Sequence, residues 1–199
     1  MNWGTGTSLT QSKPDDSISY SMDARSSQFR VHAFASGLIS AVAHSPKFEI
    51  REWIGETVAA PQHLRSGSLH VTVNPSALEL VDDVREAERR EIYRVMNNEV
   101  LEIGKFPEVV FDGRWSVSDN PGKDVYAVKV DGALRLHGVT NPHTFDARVT
   151  LGPENFRAHG EFMVFQGDYG INIASIAGST LKLRDELKFS FFVVGRMNR

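Results

Sequence analysis

The chain has 199 residues, the length of one large domain, with 41% hydrophobic and 24% charged residues in an ordinary globular balance. A net charge of -3 supplies neither the basic stripe of a nucleic-acid binder nor a polybasic membrane patch, and the lack of cysteine excludes disulfides, thiolate metal sites and cysteine nucleophiles. The polar opening segment lacks the basic start and apolar stretch of a signal peptide, and no apolar run approaches the roughly 18 residues a bilayer span needs, so a soluble, cytoplasmic protein without stable membrane insertion is expected.

Residues 1–16, rich in Ser, Thr, Gly and Asp, read as a flexible leader, and 17–199 as one domain. From Ile18 onward the dominant signal is period-2 alternation, the mark of strands with one buried face. Phe29, Val31 and Ala33 alternate with Arg30 and His32; Phe48 and Ile50 with Glu49 and Arg51; Leu69, Val71 and Val73 with His70 and Thr72. Asp82 to Leu101 breaks the rule: Val84, Ile92, Val95 and Met96 fall at helical spacing in a Glu/Arg-rich stretch. Asp83 with Glu86 resembles a capping box, Gly104 is the expected C-terminal stop, and Glu86 and Arg90 sit four apart in the favourable order. This helix is read as a solvated amphipathic element lying on the strands.

Asp119 to Gly122 is the expected turn before the alternating Tyr126, Val128 and Val130. Gly138 to Pro142 joins that strand to Phe145, Ala147, Val149 and Leu151 in a short hairpin. Gly167 to Gly170 reads as a turn, the charged run Lys182 to Glu186 precedes the last strand, and Leu187 to Val194 is apolar on both faces. Strands joined this way favour an up-and-down meander, and about eight of them must close on themselves or stack. Inward positions set Ala127, Ala147, Ala158 and Gly160 beside Phe145, Phe156 and Phe162, which leaves either a roomy aromatic interior or a filled core.

The seven histidines offer little chemistry. His137 and His143 flank the Gly138–Pro142 hairpin and could approach across it; His32 and His70 lie at the polar phase of their strands. No H-x-H, H-E-x-x-H or H-x-x-E-H spacing occurs, Ser175 to Ser179 is not a nucleophile elbow, and the paired carboxylates Asp15-Asp16 and Asp82-Asp83 suit solubility and capping. No metal, cofactor or catalytic residue is expected.

Two blocks carry a resemblance over nearly the whole chain. Phe106-Pro107-Glu108-Val109-Val110-Phe111, after a helix ending in Val100-Leu101, resembles the aromatic-Pro-Glu-x-x-Phe block of the YceI-like family. Gly132 to Pro142 resembles that family's G-x-L-x-(L)-x-G-V-T-x-P hairpin, with weaker echoes at Tyr20 to Asp23 and Tyr169-Gly170. The resemblance implies an all-β fold with one accessory helix: an eight-stranded antiparallel lipocalin-like barrel around an elongated pocket, binding polyisoprenoid chains such as polyprenyls or prenylated quinones. The chain departs from the pattern at Arg25, where the family commonly has His, in the apolar stretch Gly37 to Ser45, and in the region Ile171 to Leu187. Tyr126, Val128, Leu134, Leu136, Phe145, Phe162 and Phe189 are the expected ligand-lining residues. Two further readings stay open: a barrel enzyme using His32, His70 or His137 as a base on a lipid-like substrate, and a structural barrel docking a partner through its helix. Homodimerisation is also left open.

Overall fold

The computed structural model describes residues 17–36, 45–59, 65–171 and 182–198. The expected leader, and all of Gly37 to Ser45 except Ser45, lie outside the described residues. Within them the chain forms β1 (Ile18–Met22), β2 (Gln28–Ser36), β3 (Lys47–Ile50), β4 (Trp53–Ala59), β5 (Ser66–Val73) and β6 (Leu78–Leu80). A helix α1 (Glu86–Val95) follows, then the long strands β7 (Val109–Gly122), β8 (Val125–Leu136), β9 (Val139–Leu151), β10 (Asn155–Phe165) and β11 (Lys182–Met197).

Eleven segments make eight long strands, because three strands are each broken once. A one-turn helix at Ala24–Ser26, capped by the Asp23 carboxylate, which accepts from the Arg25 and Ser26 N–H groups, separates β1 from β2. A kink at Arg51 and Glu52 separates β3 from β4. Pro75, which cannot donate to a ladder, opens the turn between β5 and β6, and the Asn74 side chain caps it at Ser76 N. Both halves of the first two broken strands keep the same neighbours, so β1 and β2 share one edge of β11 while β4 and β3 take the next position; in the third, β5 pairs with β7 and, among the described residues, β6 pairs with β3 alone. Every pairing is antiparallel, and the β1–β11 ladder, Tyr20 opposite Met197, closes the ring. Alternation left closure or stacking open; the eight-stranded antiparallel barrel that the family resemblance implies is the observed fold.

The edge left at β6 is covered by the helix. The Leu80 N–H donates to Tyr93 Oη at 2.8 Å, and the Arg89 guanidinium donates to the Leu80 and Asp82 carbonyls, so helix side chains satisfy backbone groups that would otherwise be open to another strand. Ile92, Tyr93 and Met96 pack below onto Leu80 and Ile50. The Glu86–Arg90 pair forms at 3.6 Å. The expected capping box does not: the N-cap is Arg85, without a side-chain bond, and the neighbouring Asp82 carboxylate accepts instead from Lys47 N at 2.6 Å. The helix also ends earlier than Gly104, in a widened turn over Met96–Val100, and Glu102 takes the left-handed conformation at φ 43°.

Two turns are displaced from their expected places. Asp119 to Gly122 is the bulged end of β7, with the tight turn at Lys123-Asp124. The β8–β9 turn is only His137-Gly138, both at positive φ, and Thr140 to Pro142 already pair with β8. Gly138 is required there: its φ is +76°, and a Cβ would sit 2.6 Å from the Phe106 ring. The run Lys182 to Glu186 is the start of β11 itself, with a register shift between Leu183 and Leu187 absorbing its irregular pattern.

Candidate functional site

The inward phase of every long strand faces a single elongated space. This cavity is about 290 Å³, near the lower bound of roughly 300–1,000 Å³ common for small-molecule sites. Its wall runs along β8 from Tyr126 to Leu136, about 33 Å of strand, or about 25 Å of axis at barrel tilt. The seven residues expected from the sequence, Tyr126, Val128, Leu134, Leu136, Phe145, Phe162 and Phe189, all lie on this wall.

Aromatic rings build one side of it. Phe162 stacks on Phe189 at 4.9 Å with the rings nearly parallel, and on Phe145 at 4.9 Å, while Phe29 and Phe191 meet the group edge-on. Gly160 makes room for this: a Cβ there would come within 2.7 Å of the Phe191 ring. Ala147 and Ala158 leave the neighbouring wall low. Ala127 does not contribute. The wall residues of β8 are Tyr126 and Val128, and strand alternation turns the residue between them outward. The lining residues expected from the sequence start at Tyr126 and leave out Phe29, Trp53, Phe111, Trp115 and Phe191 on the same wall, whose period-2 phase was the available signal.

No Asp, Glu, Lys or Arg lines the cavity among the described residues. Three of its polar side chains are satisfied within the protein: Trp115 Nε1 donates to Thr57 Oγ1 at 2.8 Å, Thr57 Oγ1 donates to the Ser68 carbonyl, and Gln166 Nε2 donates to the Arg184 carbonyl. His143 differs. It shares the inward phase of Phe145 and Ala147, its ring lies edge-on to Phe162 at 5.1 Å, and its Nε2 is buried without a partner among the described residues. Burial holds its pKa below the ordinary histidine value.

His32, His70 and His137 lie outside the cavity. His137 and His143 do not meet across the hairpin: His137 bonds Glu102 at 3.0 Å and the Tyr169 carbonyl at 3.3 Å under the Phe106 ring, tying the chain after the helix to the β8–β9 turn. His32 points out of the barrel against Phe34, its pKa lowered by burial and by Lys47. His70 sits on the outer face of β5, its Nδ1 2.6 Å from Asp112 and its Nε2 3.1 Å from Thr72 Oγ1. That order of hydroxyl, imidazole and carboxylate imitates a hydrolytic triad, but it is exposed and none of the three side chains lines the barrel cavity. No three His, Asp or Glu side chains gather as metal ligands among the described residues.

A model of the YceI-like domain matches residues 20–194. Among solved structures the chain is similar to BcnA of Burkholderia cenocepacia, at 14% identity and TM-score 0.66 over 87% of this chain and 98% of that one. It is equally similar to a polyisoprenoid binding domain from Saccharophagus degradans implicated in plant cell wall breakdown, at 12% identity and TM-score 0.66 over 91% and 99% of the two chains. A Campylobacter jejuni YCEI protein follows at 12% identity and TM-score 0.56 over 79% and 87%. No curated protein sequence matches the chain.

Proposed function

The chain belongs to the family of YceI-like domains, and from that premise we propose that its barrel binds, and carries or stores, a long apolar isoprenoid-type lipid, either a polyprenyl chain or a prenylated quinone. One observation supports this most: a cavity with no charged side chain among its described lining residues, which extend about 25 Å of axis along β8 and come from all eight long strands. A narrow apolar channel suits a chain better than a compact molecule. Burial contributes about 0.8 kcal/mol per CH₂, so about fifteen enclosed carbons give on the order of 10 kcal/mol before the costs of ordering are subtracted.

The reading is of a binding protein and not an enzyme. Binding needs only the wall, and the histidines considered as bases, His32, His70 and His137, stand outside the cavity. The Saccharophagus domain of the same fold, described as polyisoprenoid-binding, supports the lipid class. Solvent extraction of the purified protein, followed by mass spectrometry, is expected to release an isoprenoid in near-stoichiometric amount. Protein that yields none, and that takes up no prenyl chain on incubation, contradicts the proposal.

A further inference from the structure

We infer that His143 is the head-group contact of the bound lipid and selects an uncharged, oxygen-bearing head, a quinone carbonyl or an alcohol, against a diphosphate. This rests on the cavity being an isoprenoid site and names the chemistry of its polar end.

The imidazole projects from β9 at the inward phase, and its cross-strand neighbour on β8 is Gly132, which has no side chain to bond it. The other polar wall groups described above have protein partners, whereas His143 makes no hydrogen bond among the described residues. A buried nitrogen left unpaired is costly, and a ligand oxygen can relieve that cost. The surroundings decide which oxygen. With no lysine or arginine on the described wall, and with burial disfavouring the imidazolium, nothing there balances a phosphate charge. A neutral imidazole offers one N–H and one lone pair, the complement of a carbonyl or a hydroxyl. Placement along β9 also fits: His143 lies four residues from the Val139 end and eight from Leu151, so a chain headed there runs past Phe145 and Ala147.

The test uses fifteen-carbon prenyl chains carrying a benzoquinone, a hydroxyl, a diphosphate or no head group. They are titrated into the full chain and its His143→Leu and His143→Gln variants, with binding read from Trp53 and Trp115, which line the cavity. Quinone and alcohol are expected to bind the native chain roughly tenfold tighter than the headless chain, with the diphosphate weakest. His143→Leu should erase that advantage, so that quinone, alcohol and headless chains bind it alike, and His143→Gln should restore part of it. The imidazole ¹⁵N signal of the native protein should move with the quinone and stay still with the headless chain, a readout independent of any variant's folding. Tightest binding of the diphosphate, an unchanged preference in His143→Leu, or an unmoved imidazole signal overturns the inference. If headless and headed chains bind equally, only this inference falls; if none binds, the lipid reading falls with it.

Discussion

Ala147→Leu separates ligand binding from folding, because it moves the two in opposite directions. Ala147 sits on the cavity wall of β9, opposite Val128 on one side and Gly160 on the other, and its half-buried surface faces the open space. The substitution adds three carbons to that space. At about 0.8 kcal/mol per carbon, a ligand that loses the same room binds about 2.4 kcal/mol more weakly, roughly a 50-fold rise in Kd. The ligand-free protein meanwhile buries those carbons against Val128 and the aromatic wall, so it should be as stable as the native chain or gain up to about 2 kcal/mol. Fluorescence titration with the headless fifteen-carbon chain gives the first quantity, and urea unfolding without ligand gives the second. A folded Ala147→Leu protein whose affinity lies within twofold of native refutes a chain passing through the barrel at this point.

Gly138→Ala combines a left-handed conformation with a clash against the Phe106 ring and should cost about 2 kcal/mol; a urea midpoint indistinguishable from native would contradict the turn geometry. Trp115→Phe removes the indole bond to Thr57 and should lower stability by about 1 kcal/mol, with lipid affinity little changed. Burial holds the His143 and His32 pKa values below the ordinary value of about 6.5, Lys47 adding to the effect at His32. Both groups bind protons more readily when unfolded, so their contribution to stability is full above about pH 6.5 and lost as pH falls through their folded values. Unfolding free energy should therefore decline from pH 7 to pH 5, and less so in His143→Leu; a decline of the same size in both refutes the assignment to His143.

What the sequence made legible was whatever has a two-residue period. Tyr126, Val128, Phe145 and Phe162 stand on the cavity wall because alternation alone fixes their face once a strand is flanked by its turns. Ala127 was misjudged by one residue, which in a strand means the opposite face. Long-range bonds explain the other misses. The capping pattern at Asp83 and Glu86 was real in sequence, but Asp82 next to it is engaged by the backbone of Lys47 on β3, 35 residues away, and the helix starts later. The turn after β7 slipped from Asp119–Gly122 to Lys123-Asp124 because two register shifts extend that strand, which no local propensity records. The break at Pro75 does carry a local signal, an Asn-Pro pair inside an alternating run. His143 was noticed only as a neighbour of the hairpin. Its phase with Phe145 and Ala147 was visible, but the lack of a partner for its Nε2 is a property of the folded wall.

The central claim is that the lipid lies inside the barrel, and methyl-resolved NMR reads this most directly. With Val, Leu and Ile methyls labelled and an unlabelled prenylated quinone added, the account predicts intermolecular NOEs from the chain to Val128, Val130 and Leu134, which face the cavity. It predicts none to Ile54, which is 69% exposed on the outer face of β4, or to Val58 on the same face. NOEs to Ile54 or Val58 with silence at Val128 and Leu134 would place the lipid on the surface and contradict the account.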